Sequence, residues 1–402
     1  MKVLLINEEC GTGSTGRICA ELAVALEKDG NTVRIAYGRN ADNVPCQYQK
    51  YAVRIGTELD LKMHGVITRM FDATGFGSIK ATRSFVRWVK EFDPDVIHLH
   101  NLHGYYINIE ILFNYIKKFN KPVIWTLHDV WPFTGHSAYC DAVGCEKWIK
   151  GCGNCPQMRV YPKAYIDRSK VNWEKKKEIF CGVNQMTIVT PSDWLATQVK
   201  KSFLQAYPIT VINNGIDITR FHRVAPLDGK AWGAEGKKIL LSVATVWNNL
   251  KGFDDFIQLA GFLDERYCII LVGNMTEKQR KKLPTGIINI PKTSSIEEMV
   301  QLYSTADLYV NLTYCDTYPT VNLEATACGI PVVTYAVGGS VESAEKYGGV
   351  AVKRGDIKMI AKLIVQMTQN EERRRRAILN RDELDKQYAI QKYKDLLYRS
   401  AL

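Results

Sequence analysis

Short apolar runs alternate with amphipathic stretches of helix length along the whole chain, and this alternation constrains the fold more than any other feature. Such runs are typical of strands buried on both faces, and strands that alternate with helices build parallel sheets from βαβ units. The predicted strands of the first half are Val3–Ile6, Val33–Tyr37, Val96–Leu99, Val123–Leu127, Thr187–Thr190 and Thr210–Ile212. Those of the second half are Ile239–Val243, Cys268–Val272, Ile287–Ile290, Leu308–Leu312, Val332–Tyr335 and Val350–Val352. The pattern predicts an α/β chain with two similar doubly wound domains.

A polar segment at residues 222–238, HRVAPLDGKAWGAEGKK, separates the two halves. It contains three Gly and a Pro and lacks an apolar period, as linkers do. We predict an N-terminal domain at 1–221, this linker, a C-terminal domain at 239–385 and a helix at 386–402 that packs back on the N-terminal domain. The run EERRRR at 371–376 is interpreted as a solvated helix face.

The composition favours a globular protein with anionic partners. The formal charge is +11, and both halves share the basic excess, so no basic arm for nucleic acid is expected. The N-terminal apolar run is short and is followed at once by acids, and no window reaches the length of a membrane-spanning helix. Eleven Cys, an odd number, suit a reducing compartment. We therefore expect a cytoplasmic protein.

A glycine-rich loop, NEECGTGSTGR, follows the first predicted strand and precedes an amphipathic helix. Its backbone N–H groups and the helix N-terminus could face an anion. The loop fits a dinucleotide fingerprint poorly, because the third Gly comes early and no clear acid ends the second strand, and it lacks the Lys of a P-loop. A tight turn that needs small residues explains the loop equally well.

In the second half, Lys251 and Gly252 follow the strand at Ile239–Val243. The Lys251 ammonium could reach a phosphate as a point charge, although a solvated surface lysine is the ordinary interpretation. Later in the same half, Asp316 and Glu324 lie eight positions apart in YCDTYPTVNLEATACGIPVV, where a strand passes into a helix. Together these residues indicate a ligand site at the strand ends of the second domain.

Four of the seven His, at positions 98, 100, 103 and 128, lie at or just after predicted strand ends. At least one is expected to face a ligand, although core packing explains each of them as well. The pair His128 and Asp129 is the stronger candidate, because a carboxylate beside an imidazole can orient it and favour its charged form. Adjacent residues need not have adjacent side chains, however.

A cysteine cluster lies in a predicted insertion at residues 136–160, with the spacing C-x4-C-x6-C-x2-C. The four thiols, Cys140, Cys145, Cys152 and Cys155, are typical of a closed structural zinc site. Free buried thiols and reversible disulfides are the alternatives. No catalytic metal is expected, because four thiolates leave no open position on the ion.

Taken together, these motifs resemble those of the retaining glycosyltransferases of family 4, which have the GT-B fold. The likeness extends from GTGSTGR to the C-terminal helices, and its most specific part is Asp316-x7-Glu324 followed by EATACGIPVV. The segments HLHNLHGYYIN, TLHDVWPFTGH, CGNCP and DTYPTVNLEA narrow it to bacterial transferases of exopolysaccharide, colanic-acid or O-antigen assembly.

The resemblance implies two Rossmann-like domains that face each other across a cleft, and transfer with retention of anomeric configuration. The C-terminal domain would bind a nucleotide-diphosphate sugar, with UDP or GDP, and the N-terminal domain a lipid-linked or oligosaccharide acceptor. The residues implied for donor binding are Gly13, Arg17, Lys251, Thr320, Val321 and Glu324. Those implied for catalysis are His128, Lys251 and Asp316, and those for acceptor binding are Asn101 and His103.

The resemblance also implies a role for each of these residues. Glu324 would bind the ribose, and Asp316 would contact hydroxyls of the transferred sugar. Backbone amides at Thr320 and Val321 would meet the diphosphate, and Lys251 would neutralise the departing phosphate. The loop at Gly13 would close on the same phosphate, and His128 would lie near the reacting sugar.

Two positions depart from the family pattern. Asp316 stands where the family usually has Glu, which shortens the side chain by one methylene. Thr245 stands where an Arg usually precedes the Lys-Gly pair, and Leu250 stands where a second cation could have been. One phosphate-binding cation is therefore missing, and Arg17 is the candidate replacement.

Three other functions fit the sequence less well. A sugar-nucleotide epimerase can share the GT-B arrangement but needs no acceptor, and a non-catalytic nucleotide-sugar-binding protein would tolerate the missing Arg. A NAD-dependent dehydrogenase is the weakest alternative, because the first glycine loop is a poor fingerprint. The basic, aromatic segment Lys163–Lys177 suggests peripheral contact with the inner face of the plasma membrane, although a solvated helix face explains it equally well.

Overall fold

The computed structural model describes residues 1–369 and 381–401, so the EERRRR run at 371–376 lies outside the described residues. The strands are β1 Lys2–Ile6, β2 Thr32–Tyr37, β3 Ala52–Arg54, β4 Val96–Leu99, β5 Val123–Thr126, β6 Met186–Thr190, β7 Ile209–Val211, β8 Lys238–Val246, β9 Tyr267–Asn274, β10 Ile287–Ile290, β11 Leu308–Asn311, β12 Val332–Tyr335 and β13 Val350–Val352. The α-helices are α1 Gly13–Lys28, α2 Glu58–Phe71, α3 Ile79–Phe92, α4 Ile109–Phe119, α5 Ser169–Phe180, α6 Asp193–Lys201, α7 Phe253–Ala260, α8 Glu277–Arg280, α9 Ile296–Thr305, α10 Thr320–Ala327, α11 Ser340–Glu345, α12 Ile357–Thr368, α13 Arg381–Leu384 and α14 Lys386–Ala401.

All the predicted strands are present with small shifts at their ends, so the α/β prediction is confirmed. The sequence did not predict β3, a three-residue strand that pairs only with β2 at the edge of its sheet. It is half-buried and polar at one end, so it lacks the apolar run that marks the interior strands.

The described chain divides into two compact units, Met1–Ile212 with Ile390–Leu402, and Asn213–Ala389. Each unit has a parallel sheet with helices packed on it, which is the Rossmann-like doubly wound arrangement. The domain and linker bounds given above stay predictions. In the first unit, the end of α14 is tied to the loop after α1 by Lys394, whose Nζ lies 2.6 Å from a carboxylate oxygen of Asp29.

The sheet of the first unit has the strand order β3-β2-β1-β4-β5-β6-β7. The chain begins in the middle of this sheet, moves to one edge and returns to start again beside β1. The order therefore reverses between β1 and β4. In doubly wound sheets, ligands bind at the carboxyl ends of the strands at such a switch point.

The sheet of the second unit has the order β10-β9-β8-β11-β12-β13, and it reverses between β8 and β11. Successive residues of β8 enter different cores: Leu240 packs with Phe256 on one face, and Leu241 packs with Tyr303 on the other. Both faces are therefore covered, which explains why the strands are apolar without interruption.

Candidate functional site

Lys251 and Asp316 meet at the switch point of the second unit, as their predicted roles require. Lys251 lies in the turn after β8 and Asp316 in the loop after β11. The Lys251 Nζ lies 3.3 Å from Asp316 Oδ2 and 3.5 Å from Thr313 Oγ1. The lysine side chain is 38% exposed, so the pair adds little to stability while its ammonium stays accessible to an anionic ligand.

Two glycines hold the turns that carry this pair. Gly252 has φ +73°, and a Cβ on it would lie 2.3 Å from the carbonyl oxygen of Leu312 at the end of β11. Gly338, in the loop after β12, has φ +52°, and a Cβ there would lie 2.0 Å from the carbonyl oxygen of Asp316. Only glycine fits such close backbone approaches, so three consecutive loops of the sheet are packed against one another.

Helix α10 begins directly after this loop, and its N-terminus lies at the same edge of the sheet. Buried Asn322 accepts a hydrogen bond from Asn311 Nδ2 at 2.9 Å and donates one to Ser343 Oγ at 2.9 Å, which ties α10 to β11 and α11. The helix receives no side-chain cap from its N-cap residue, Pro319. Its first N–H groups, at Thr320 and Val321, can therefore bind an anion.

Glu324 lies one turn further into α10 and has a different partner from Asp316. Its Oε2 accepts a hydrogen bond from the Tyr303 hydroxyl at 2.9 Å. Burial and the negative charge of Glu324 raise the pKa of Tyr303 well above its ordinary value, so the phenol remains a donor. The two acids thus have separate anchors, which favours two separate binding roles over one shared proton.

Arg354 is a cation at this edge that the sequence did not single out. It follows β13, and its guanidinium lies 5.3 Å from the ring centre of Tyr314, in the loop that also holds Asp316. Thr245, where an Arg was expected, is exposed beside a register shift in β8. The sequence did contain a signal that could have identified Arg354, because it is a basic residue just after a strand of the same parallel sheet.

At the switch point of the first unit, the glycine loop faces a carboxylate of the chain itself. Glu9 accepts hydrogen bonds from the Thr12 hydroxyl at 3.0 Å and from the Asn40 amide, and a Cβ on Gly13 would lie 2.8 Å from its Oε2. The Arg17 Nε donates to the Gly13 carbonyl at 3.0 Å. These contacts favour the tight-turn interpretation, and the donor-binding roles of Gly13 and Arg17 stay predictions.

Three histidines at this edge form a group of neutral rings, of which His98 and His100 are buried and His128 is half-buried. His98, inside β4, has Nε2 2.8 Å from Thr126 Oγ1, and His100 shares a hydrogen bond with His128, with 3.0 Å from Nδ1 to Nε2. Burial lowers the pKa of His98 to about 3 and that of His128 to about 4, and it also lowers the pKa of His100. Asp129 does favour the charged form of His128, as expected, but burial outweighs the carboxylate and the net pKa is lowered.

Asp129 instead orients His103, in the loop after β4. His103 Nε2 donates to Asp129 Oδ2 at 2.7 Å, and the other carboxylate oxygen accepts from the Trp131 N–H at 2.8 Å. Burial alone would lower the pKa of His103, but the carboxylate charge and hydrogen bond outweigh it and raise this pKa. The hydrogen bond from Trp131 orients the Asp129 carboxylate toward His103, and this orientation could not be inferred from the sequence.

Glu8 and Tyr161 complete the surroundings of His103, and the sequence did not single out either of them. His103 Nδ1 lies 3.2 Å from the Tyr161 hydroxyl and 4.0 Å from Glu8 Oε2. Half-buried Asn101, two residues earlier, donates its backbone N–H to Asn7 Oδ1 at 3.3 Å. The structure thus places both residues predicted for the acceptor at the switch point.

Comparisons with known proteins agree with this geometry. A family model described as Glycosyltransferase Family 4 matches residues 15–220, more than half of the chain. The chain belongs to glycosyltransferase family 4. A second model, Glycosyl transferases group 1, matches residues 228–383. Escherichia coli K12 WcaC, a glycosyl transferase assigned to colanic acid biosynthesis, is 24% identical over 388 residues, which cover 90% of each chain.

Solved structures show the same fold. Sucrose-phosphate synthase from Thermosynechococcus elongatus aligns with a TM-score of 0.71 and 16% identity, over 99% of this chain and 98% of that one. Anabaena HepE in complex with UDP and glucose aligns with a TM-score of 0.69 and 16% identity, over 99% and 100%. This family 4 chain therefore has the GT-B type of fold.

The cysteine cluster of this family member lies at the margin of the core of the first unit, with Cys140 buried and the other three thiols half-buried. Cys140 is buried, and burial followed by the charges of the other three thiols raises its pKa, so the four lie within electrostatic range. Within the described residues, no three His, Cys, Asp or Glu side chains are grouped closely enough to hold a metal as they stand. The predicted zinc site stays a prediction.

Only part of the basic segment Lys163–Lys177 lies at the protein surface. Trp173 and Lys176 are buried, and the Lys176 Nζ donates to the carbonyl oxygens of Trp131 at 2.8 Å and Thr134 at 3.0 Å. Burial lowers the pKa of Lys176 to about 7. Lys176 therefore faces the core and not a solvated helix face, and contact of this segment with a membrane stays a prediction. Among the described residues, no helix has both the length and the apolar content needed to cross a bilayer.

Proposed function

We propose that this glycosyltransferase moves a hexose from a nucleotide-diphosphate sugar, with UDP or GDP, to a lipid-linked or oligosaccharide acceptor, with retention of anomeric configuration. The observation that carries this proposal is the Lys251–Asp316 pair, 3.3 Å apart at the switch point of the second unit. The HepE structure, solved with UDP and glucose, supports a nucleotide-sugar donor. The likeness to WcaC supports a role in bacterial surface polysaccharide synthesis.

In this proposal, the second unit binds the donor through charge and backbone dipoles. The diphosphate would meet the Lys251 ammonium and the first N–H groups of α10, at Thr320 and Val321. Glu324, oriented by Tyr303, would accept hydrogen bonds from the ribose hydroxyls. Asp316 would contact the sugar, and Arg354 would supply the cation that is missing at Thr245.

The chemistry needs fixed positive charge where the bond to the leaving diphosphate breaks. Positive charge develops on the sugar as negative charge grows on the departing phosphate, and Lys251 would stabilise the latter. The acceptor hydroxyl would attack from the face that the diphosphate leaves. Its proton would pass to the departing phosphate oxygen, which accounts for retention without a carboxylate nucleophile.

The first unit would bind the acceptor at Asn101 and His103. Neutral His128 would donate or accept one hydrogen bond near the reacting sugar without adding charge, because burial keeps its pKa at about 4. The enzyme would work in the cytoplasm, at the inner face of the plasma membrane if the acceptor is lipid-linked.

A donor panel tests this function. UDP-, GDP- and ADP-sugars are incubated with the full chain and with lipid-linked or oligosaccharide acceptors, and nucleotide release and the anomeric configuration of the product are measured. We expect release that depends on the acceptor, from a UDP- or GDP-sugar, and a retained anomer. Release without an acceptor would favour an epimerase, binding without release a non-catalytic protein, and an inverted product would overturn the mechanism.

We also propose that Cys140, Cys145, Cys152 and Cys155 hold a structural zinc ion once their thiols are deprotonated and drawn together. The C-x4-C-x6-C-x2-C spacing supports this, and the other three thiols lie near enough to Cys140 to contribute, after burial, to its raised pKa. Metal analysis of the purified chain should find zinc near one equivalent, and chelation should lower the melting temperature. Protein that is stable and free of zinc would contradict the proposal.

A further inference from the structure

Helix α2 in the first unit packs with its apolar face outward. Leu59, Met63, Val66, Ile67 and Met70 recur at helical spacing along one side and are between 40% and 66% exposed. In a soluble protein such a stripe normally faces the core. An exposed stripe of five large apolar side chains marks an interaction surface.

The opposite side of α2 is polar, and the fold fixes it inward. His64 and Thr68 are both 1% exposed. The His64 Nε2 accepts hydrogen bonds from the N–H groups of Gly75 at 3.2 Å and Gly77 at 3.1 Å, and its Nδ1 donates to Ser78 Oγ at 2.9 Å. Burial lowers the pKa of His64 to about 4, so the ring is neutral and suited to these bonds. The helix cannot turn its apolar side inward without breaking them.

A second segment extends this surface. Tyr165 and Ile166 are 74% and 49% exposed, and the Tyr165 N–H donates to the Arg69 carbonyl at 2.9 Å. The Arg69 guanidinium lies 5.6 Å from the Tyr165 ring centre. The apolar stripe of α2 and the tip at Tyr165 and Ile166 therefore form one surface, which we call the α2 surface.

Cations flank the α2 surface, and the exposed acid next to its tip, Asp167, already accepts hydrogen bonds from the N–H groups of Cys155 and Ser169. Lys62 and Arg69 project beside the apolar stripe and are exposed, and Lys163 is exposed next to the tip. The acids of α2, in its first turn, already have partners: Glu58 pairs with Arg54, and Asp60 closes a capping box with Thr57. Apolar side chains flanked by cations match the interface of an anionic bilayer, where the former enter the acyl boundary and the latter meet phosphate headgroups.

We propose that the α2 surface docks this protein on an anionic lipid surface. This inference rests on the surface alone and holds whether or not the proposed function is right. Its link to function rests on that proposal: the His64 and Tyr105 rings pack 5.9 Å apart, and Tyr105 lies two residues after His103. Docking would thus hold the acceptor loop close to the membrane that carries a lipid-linked sugar.

Co-sedimentation with vesicles tests the inference on the full chain. We expect binding to vesicles of equal parts phosphatidylglycerol and phosphatidylcholine, little binding to phosphatidylcholine alone, and loss of binding at high salt. The double variant Met63→Asp with Val66→Asp should bind roughly tenfold less or weaker still, because each buried apolar side chain contributes to partitioning. Phe262→Asp, at a 51% exposed residue of the second unit, is the matched control and should bind normally.

The charges are tested separately. Lys62→Gln and Arg69→Gln should each weaken binding to the anionic vesicles by about fivefold. Lys278→Gln with Lys282→Gln, at exposed positions of the second unit, should leave binding unchanged. All these side chains are exposed, so circular dichroism should show folded variants. Equal binding by the parent and the Met63→Asp, Val66→Asp variant would overturn the inference.

A second copy of the chain is the competing occupant of the α2 surface. Sedimentation velocity of the parent without lipid should show a monomer. The parent could instead form a dimer, which the Met63→Asp, Val66→Asp variant converts to monomer, and fail to bind anionic vesicles. That result would show that the α2 surface binds a second copy of the chain and not a membrane. Unaltered nucleotide-sugar binding by this variant would show that the docking surface and the donor site are separate.

Discussion

The two sheets reverse their strand order at corresponding places, yet the side chains there have opposite character. In the second unit, a half-exposed lysine and carboxylate lie 3.3 Å apart beside an uncapped helix N-terminus. In the first unit, His98, His100 and His128 have lowered pKa values, and the N-terminus of α1 already faces Glu9. The same topology therefore carries an accessible ion pair in one unit and neutral imidazoles in the other, which under the proposed function suit a diphosphate and sugar hydroxyls respectively.

Burial is the physical cause of this difference. An ammonium and a carboxylate keep their charge only where water or a partner compensates, and the loops that hold Lys251 and Asp316 leave both partly exposed. Burial lowers the pKa values of His98, His100 and His128, which then lose their charge and keep their hydrogen bonds. A diphosphate needs the first environment, whereas sugar hydroxyls are matched by the second.

Removal of the Lys251 charge should have the largest effect. Lys251→Ala should lower kcat by about 10²- to 10³-fold, the typical loss for one group that stabilises a developing charge, while nucleotide affinity changes less. Steady-state kinetics and calorimetry with the free nucleotide separate the two effects. Lys282→Ala, an exposed lysine of the same unit, should leave kcat unchanged.

The same kinetic assay, applied to a variant of the first unit, tests the difference between the two units. His128→Asn keeps a neutral hydrogen-bonding side chain and should cost much less than Lys251→Ala. If His128→Asn were the more damaging change, the assignment of charge stabilisation to the second unit alone would be wrong.

The anchors of Glu324 give an intermediate effect. Glu324→Gln removes the charge that would bind the ribose hydroxyls and should weaken nucleotide binding by about tenfold or more, as expected for hydrogen bonds to a charged group. Tyr303→Phe keeps the carboxylate but removes the 2.9 Å hydrogen bond that orients it, and should weaken binding by roughly fivefold or less. Calorimetry with UDP and GDP measures both. A larger loss for Tyr303→Phe than for Glu324→Gln would contradict the proposal that Tyr303 acts by orienting the Glu324 carboxylate.

The fold was predictable because each interior strand is an apolar run between polar turns, and parallel sheets need such runs. The meeting of Lys251 and Asp316 was also predictable, since both follow strands that end at the same edge. What could not be predicted depends on side-chain direction: Asp129 turns to His103, Lys176 points into the core, and α2 packs on its polar side. In each case a contact distant in sequence outweighs the local pattern.

The smallest expected effect is a pH dependence of stability that differs in sign between the histidines of the first unit. The pKa of His103 is raised, so its pairing with Asp129 stabilises the fold fully below the unfolded pKa of about 6.5 and is lost as pH rises through the folded value. The pKa of His98 is lowered to about 3 and that of His128 to about 4. Their effect is opposite: stability falls as pH drops below about 6.5, where only the unfolded imidazoles bind protons.

Asp129→Asn isolates the first of these effects, because it keeps a hydrogen-bond acceptor beside His103 and removes the charge. The free energy of unfolding is measured by urea denaturation from about pH 5.5 to about pH 9 for the parent and the variant. We expect the variant to be less stable by on the order of 1 kcal/mol at the acidic end, with the difference shrinking as pH rises. Asp264→Asn, an exposed acid of the second unit that pairs with Arg266, should give a difference that does not vary over this range. A constant difference for Asp129→Asn as well would mean that the Asp129 charge does not act through His103, and the contrast between the raised pKa of His103 and the lowered pKa values of the other three histidines would then fail.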